Sequence, residues 1–137
     1  MCEIAVLDSD PVVENAEAFV HNIEQSLYKT NNDGLGFVAV YPGDEHFTTS
    51  YIKSESITDG NRDEYIDWVE NQGDSWRIIV HARLATNGGT GTDQAHPIII
   101  EDDDVDANMV IHNGVVRRAR TKRRSLKRDG HEFNTKV

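Results

Sequence analysis

Apolar residues along this chain recur first with helical spacing and then in short, strand-like runs. After a predicted strand at residues 3–7, of which residues 4–7 are apolar, apolar positions recur every three or four residues from 12 to 27. This spacing places them on one face of a helix that we expect to continue to about Tyr28. Asp10 and Pro11 suit the start of this helix, as its cap and its first helical residue.

Shorter patterns predict the remaining elements. Residues 35–41 form a continuous apolar run typical of a strand, and a turn at 42–44 leads into a more polar strand at 47–53. A short helix is expected at residues 61–71, with four side chains facing inward: Tyr65, Ile66, Trp68 and Val69. Further strands are expected at four segments: residues 77–81, 97–100, 109–111 and 131–133.

The order of these elements predicts an α+β fold. Strands in antiparallel-looking clusters between two or three helices differ from the alternating βαβ units of parallel sheets. A length of 137 residues suits one domain, spanning residues 1–137, with a core of useful size.

Charge makes nucleic acid an unlikely partner, because the formal net charge is -10. Residues 117–128 nevertheless carry eight basic side chains and no acidic one, and we expect them to form a helix that ends at Asp129-Gly130. A solvated helix surface is the simpler interpretation. A binding surface for nucleic acid or an acidic protein is the alternative.

The single cysteine excludes an internal disulfide, and an unpaired thiol suits a reducing compartment. The apolar residues 4–7 are too few for a signal peptide, and no run approaches membrane-spanning length. These features predict a cytoplasmic protein without a membrane partner.

That cysteine, Cys2, directly follows Met1 and is the first candidate for chemistry. Removal of Met1 would place an α-amino group on the residue that carries the thiol, so one residue would supply both nucleophile and base. The simpler interpretation of an isolated Met-Cys start is a small apolar residue at an edge strand.

Four further motifs favour the chemical interpretation. They are Asp-Gly-Leu-Gly-Phe at 33–37, His-Ala-Arg-Leu-Ala-Thr-Asn-Gly at 81–88, Ala-His-Pro at 95–97 and His-Asn-Gly at 112–114. Together with Cys2 and in this order, they resemble the glutaminase domain of class II glutamine amidotransferases. The resemblance extends over the whole chain, although it is sparse between the motifs.

The resemblance implies a mechanism. Cys2 would attack the side-chain amide of glutamine, and its α-amino group would pass the thiol proton to the departing ammonia. Water would then hydrolyse the thioester to glutamate. The Asn113 side chain and the Gly114 backbone N–H would stabilise the oxyanion, where loss of one donor costs about 100–1,000-fold in rate. A tight hairpin turn is the simpler interpretation of Asn113-Gly114.

The same resemblance assigns substrate binding to Arg83 and Thr86. The planar guanidinium of Arg83 would hold the glutamine α-carboxylate, and residues 84–93 would close over the substrate. Residues 32–34 would support the nucleophile through a tight turn. We interpret His81, His96 and His112 as structural, because their scattered spacing is unlike that of a metal site. No cofactor is expected.

The implied fold is a four-layer αββα sandwich of the N-terminal-nucleophile hydrolase type. Its C-terminal strands and the aspartate that binds the glutamine α-ammonium would follow residue 133, so we expect a C-terminally truncated chain. A reduced, inactive homologue is the alternative. An ammonia-accepting synthase would be a partner or another part of the protein. Leu84 and Arg117 depart from the family pattern, which could alter loop closure and specificity.

Two other functions remain open from the sequence. A related N-terminal-nucleophile hydrolase could act on a different amide. Alternatively, the chain could be a non-catalytic binding module that uses residues 117–128.

Overall fold

A computed structural model describes residues 2–85, 89–99, 109–113 and 118–130. Its elements in chain order are β1 (Glu3–Asp8), α1 (Ser9–Glu14), α2 (Ala16–Gln25), α3 (Leu27–Thr30), β2 (Leu35–Tyr41), β3 (Thr48–Ser54), α4 (Arg62–Glu70), β4 (Arg77–Ala82), β5 (Ile98–Ile99), β6 (Met109–Val110) and α5 (Ala119–Arg128). Most of these agree with the predicted segments to within one or two residues. The expected strand at 131–133 lies outside the described residues.

The prediction of a single first helix is wrong, because the structure has three short helices, α1, α2 and α3, in its place. Asn15 leaves the helical conformation, and its side-chain amide donates to the Pro11 carbonyl at 3.1 Å. Ser26 interrupts the chain again, with its hydroxyl 2.6 Å from the Asn22 carbonyl. Short polar side chains that hydrogen-bond the backbone four residues earlier compete with a regular helix. The cap prediction is also wrong, since Asp8 rather than Asp10 precedes α1.

Strands β1 to β4 form an antiparallel sheet in the order β1-β4-β2-β3. Strand β4 therefore lies in the middle, and Ala82 at its end pairs with both Glu3 and Leu35. A separate two-stranded ladder joins β5 to β6. This mixture of helices with an antiparallel sheet confirms the α+β prediction.

One face of the sheet builds the core against α1, α2 and α4. Alternate residues of β2 and β4 point to this face and are fully buried: Leu35, Phe37, Ala39, Ile78, Val80 and Ala82. The Phe37 ring lies at the centre, with ring centroids 5.6 Å from Phe19 and 5.0 Å from Tyr65. Tyr65 and Val69 are buried as predicted, while Ile66 and Trp68 are partly buried against the same cluster.

The opposite face of the sheet is covered at the end where β4 terminates. Residues 95–97 cross it there and pack on Gly36 of β2. Further along β1, Val6 is 61% exposed. The covered end of this face contains the candidate site.

Helix α5 begins after Arg118, ends at Asp129 and is followed by Gly130 in the left-handed region, as the sequence predicted. Its basic side chains are largely exposed. No helix in the described part of the chain has the length and apolar character to cross a membrane.

Candidate functional site

Cys2 lies next to the end of the central strand. It directly precedes β1, and the antiparallel register that pairs Glu3 with Ala82 continues towards Arg83. The half-buried thiol donates a weak hydrogen bond to the Leu84 carbonyl, with sulfur and oxygen 3.7 Å apart. The pairing of β1 with β4 thus brings together two predicted site residues, Cys2 and Arg83, that are 81 positions apart in the sequence.

Arg83 is 7% exposed, unlike most arginine side chains. Its backbone N–H donates to the Gly34 carbonyl and its carbonyl accepts from the Asp33 N–H, each at 2.8 Å. A side chain that alternates with Ala82 in this strand points away from the helical core and towards the covered end of the opposite face. The Arg83 side chain is therefore largely enclosed on the same face of the sheet as His81.

Asp33 holds the segment that follows Arg83. Its carboxylate accepts a hydrogen bond from the Ala85 N–H at 2.7 Å. Gly34 lies close to two neighbours, because a Cβ built on it would be 3.1 Å from the Ala95 Cβ and 3.4 Å from the Arg83 Cβ. These contacts fit the supporting role expected for residues 32–34. The Asp33 carboxylate itself was not predicted to take part.

Three histidines form a hydrogen-bonded cluster on the covered face. The rings of His81 and His96 are stacked, with centroids 4.1 Å apart and an interplanar angle of 13°. The His81 Nε2 lies 3.1 Å from the His112 carbonyl, and the His112 N–H donates to the His96 Nδ1 at 3.0 Å. Because a carbonyl can only accept, His81 Nε2 carries the proton, whereas His96 Nδ1 does not.

This arrangement holds both imidazoles in their neutral forms. Burial lowers the pKa of His81 to about 4, and the hydrogen bond to the His112 backbone opposes that shift only in part. Burial also lowers the pKa of His96 to about 3, with further lowering by the nearby His81, His112 and Arg83. Protonation of His96 would remove the acceptor of the His112 N–H.

We predict that the chain loses stability on mild acidification. An unfolded histidine has a pKa near 6.5, so between pH 6.5 and 4 the unfolded chain binds protons that folded His81 excludes. The free energy of unfolding should therefore fall with pH, by roughly 3 kcal/mol from His81 alone at about pH 4. Urea denaturation at pH 7, 6 and 5 measures this, since most carboxylates stay ionised over that range.

The control for this prediction is His46→Gln, because His46 lies on the exposed turn before β3. This variant should show the same loss of stability as the unaltered chain. A denaturation midpoint that stays constant from pH 7 to 5 would contradict the prediction.

Asn113 follows the histidine cluster and is exposed. His81, which holds the preceding residue, pairs across the sheet with Ile4. Ile4 and Cys2 are separated by about 7 Å along an extended chain. The residue that precedes Asn113 is therefore held near the end of the sheet where Cys2 lies. The other predicted oxyanion donor, Gly114, and the predicted substrate contact Thr86 lie outside the described residues.

Lys53 contacts the segment that covers the candidate site, and the sequence analysis did not indicate this residue. From β3 its Nζ donates to the Ala95 carbonyl at 3.0 Å and to the Pro97 carbonyl at 2.9 Å. A lysine on the outward face of a polar strand is ordinarily solvated, and it belongs to none of the motifs. Only the packing of residues 95–97 onto the sheet gives it partners.

Among the described residues, no group of three or more histidine, cysteine, aspartate and glutamate side chains could hold a metal ion. The rings of His81 and His96 stack on each other, and each is hydrogen-bonded to the backbone of His112. The described groups at this end of the sheet include a thiol, a buried guanidinium and an exposed amide.

No protein-family model matches the chain. It is similar to the glutamine–fructose-6-phosphate aminotransferase (isomerizing) of Idiomarina loihiensis, with 35% identity over 101 residues. The matched region is 73% of this chain and 15% of that protein, so the chain spans less than a sixth of the relative it matches. The name of the relative describes an aminotransferase that uses glutamine and fructose 6-phosphate.

Proposed function

We propose that this chain is a class II glutamine amidotransferase domain that hydrolyses the side-chain amide of glutamine to glutamate and ammonia. One observation supports the proposal most: β1 pairs with β4 up to Glu3 and Ala82, Cys2 and Arg83 are the next residues of these two strands, and Arg83 is buried. A nucleophile and a carboxylate-binding cation are the two groups that such a reaction needs first. The similarity to an aminotransferase named for glutamine supports the same class of enzyme.

In the proposed reaction Met1 is removed and the new α-amino group of Cys2 takes the thiol proton. The thiolate attacks the amide carbon of glutamine, and the resulting oxyanion accepts hydrogen bonds from the Asn113 side chain and the Gly114 N–H. Collapse of this intermediate breaks the C–N bond, and the amine returns the proton to the leaving ammonia. Water then cleaves the thioester, which releases glutamate and restores the thiol.

Substrate selection would depend on Arg83, whose planar guanidinium can form two hydrogen bonds with the α-carboxylate of glutamine. Thr86 would add a further contact. The Asp33 carboxylate, bound to the Ala85 N–H, would set the position of the chain that links these two residues.

The proposal extends to the fold and to the partner. The four-stranded sheet and its helices would be two layers of the αββα sandwich, and the β5–β6 ladder would belong to the second sheet. Residues 1–137 would then be one domain of a longer protein, and the ammonia would pass to a synthase domain or subunit.

We predict two results from intact-mass spectrometry of the chain before and after treatment with a glutamine-like electrophile. The chain should lack Met1 already before treatment. After treatment it should carry a single covalent adduct, which maps to Cys2 because this is the only cysteine in the sequence. The treated chain should also lose its glutamine-hydrolysing activity.

A C-terminally extended version of the chain provides the control for an incomplete site. If the extended protein releases no ammonia from glutamine and takes up no label, the proposed function is wrong. If it hydrolyses amides that lack an α-carboxylate as fast as glutamine, the chain is instead a related amidohydrolase with another substrate.

A further inference from the structure

Lys53 makes contacts that a solvated lysine would not make. Its ammonium group donates to two carbonyls that belong to residues on either side of His96, those of Ala95 and Pro97. Burial lowers the pKa of Lys53, and the charge of Asp93 opposes this. A lysine that is desolvated in this way is compensated by its two charge-assisted hydrogen bonds.

His96 is fixed on its remaining sides by the sheet. Its carbonyl oxygen lies so close to Gly36 that a Cβ at that position would be 1.6 Å away. Its ring stacks on that of His81, which is completely buried. With Lys53 holding the flanking carbonyls, little freedom remains for the backbone or the ring of His96.

The fixed His96 in turn holds the segment that carries Asn113. The two backbone polar groups of His112 both bind imidazoles, the N–H to His96 and the carbonyl to His81. Because its N–H and its carbonyl are both hydrogen-bonded, the backbone of His112 has a fixed orientation. This orientation determines the position of the Asn113 backbone that follows it. This chain of contacts runs from Lys53 through His96 and His112 to Asn113.

We propose that Lys53 is a positioning residue for the oxyanion-stabilising amide of Asn113, acting through the Ala95 and Pro97 carbonyls, His96 and His112. This inference rests on the proposed glutaminase function for its effect on rate. Its structural part, the dependence of the His112 backbone on Lys53, can be measured without any activity.

The test is Lys53→Met, which keeps the apolar stem and removes the charge and the donors. Glutamine hydrolysis should lose about 10–100-fold in kcat, because a small displacement of a reacting group has this effect, with little change in KM. In NMR spectra the His112 amide and the ring nitrogens of His81 and His96 should shift. Lys53→Arg, which keeps the positive charge and has N–H donors for both carbonyls, should keep most of the rate.

The matched control is Lys29→Met, since Lys29 is an exposed lysine in α3. It should leave kcat and the His112 resonance unchanged. Lys53→Met with the kcat and the His112 resonance of the unaltered chain would overturn the inference, as would an equal loss in Lys29→Met.

If Lys53→Met does not fold, the milder Lys53→Gln, which keeps one neutral donor group, replaces it in a hydrogen-exchange measurement. The His112 amide donates to His96, so it should exchange slowly in the unaltered chain and faster in Lys53→Gln. Equal exchange rates in the two chains, or exchange of this amide in the unaltered chain at the rate of an exposed amide, would overturn the inference. If the C-terminally extended protein does not hydrolyse glutamine, the proposed function fails. The NMR shifts on replacing Lys53 would still show whether this residue positions the His112 segment.

Discussion

Replacement of Cys2 by alanine should abolish glutamine hydrolysis, with a loss on the order of 10⁴-fold or more in kcat, because no other side chain can form the thioester. The fold should be retained. Cys2 is half-buried outside the core cluster, and among the described residues its side chain is hydrogen-bonded only to the Leu84 carbonyl, and weakly. Ammonia release and thermal denaturation of the same preparation measure both expectations.

Cys2→Ser is the matched variant for this prediction. The hydroxyl occupies nearly the same space and donates a hydrogen bond, but it is a much weaker nucleophile near neutral pH. It should therefore fold like the unaltered chain and hydrolyse glutamine only at a residual rate. Full activity in Cys2→Ala would show that the thiol is not the nucleophile.

Replacement of Gly36 by alanine should have the largest effect on stability among single methyl additions to the sheet. The new Cβ would lie 1.6 Å from the His96 carbonyl oxygen and 2.7 Å from its carbon. Because both are backbone atoms, the methyl group can be accommodated only if residues 95–97 move. We expect the free energy of unfolding to fall by about 3 kcal/mol, the upper part of the range for overpacked sites.

The same substitution should also lower activity under the proposed function, because movement of His96 would release the His112 N–H and displace Asn113. Urea denaturation gives the stability, and the shift of the His112 amide resonance reports the displacement. The loss of activity should exceed the loss expected from the fraction of unfolded chain, because the displacement of Asn113 lowers the activity of the folded chain as well.

Gly73→Ala is the control for Gly36→Ala. Gly73 lies in the turn after α4, and a Cβ there would meet no atom within 4 Å. Its replacement should leave stability unchanged or raise it slightly, by less than about 1 kcal/mol. Equal losses of stability in the two variants would contradict the close contact between Gly36 and His96.

Most of the secondary structure could be predicted from the sequence because it depends on local patterns. The apolar run of β2 has the predicted bounds, and α4 has the predicted inward face. The first helix was harder, because its apolar spacing continues through Asn15 and Ser26. Hydrophobic periodicity contains no information about polar side chains that hydrogen-bond the backbone carbonyl four residues earlier. The two interruptions of the helix were therefore not predicted.

The sequence by itself determined which residue types are present for chemistry: a single thiol at position 2, an arginine at a strand end, and an asparagine after a histidine. Their order along the chain was sufficient for the resemblance to an enzyme family. The sequence could not show that Arg83 is buried beside Cys2, because that depends on pairing between strands about 80 positions apart.

The tertiary structure alone decided how the site is supported. The Asp33 carboxylate bonds to the segment that follows Arg83, and Gly36 and the Lys53 ammonium group contact residues 95–97 where these pack against one end of the sheet. An outward lysine and a glycine in a strand look ordinary in a linear pattern, since local propensity contains no information about which segment will cover them. Long-range packing determines whether such residues are solvated or contact another segment, and here it covers Gly36 and gives the partly buried Lys53 two hydrogen-bond acceptors.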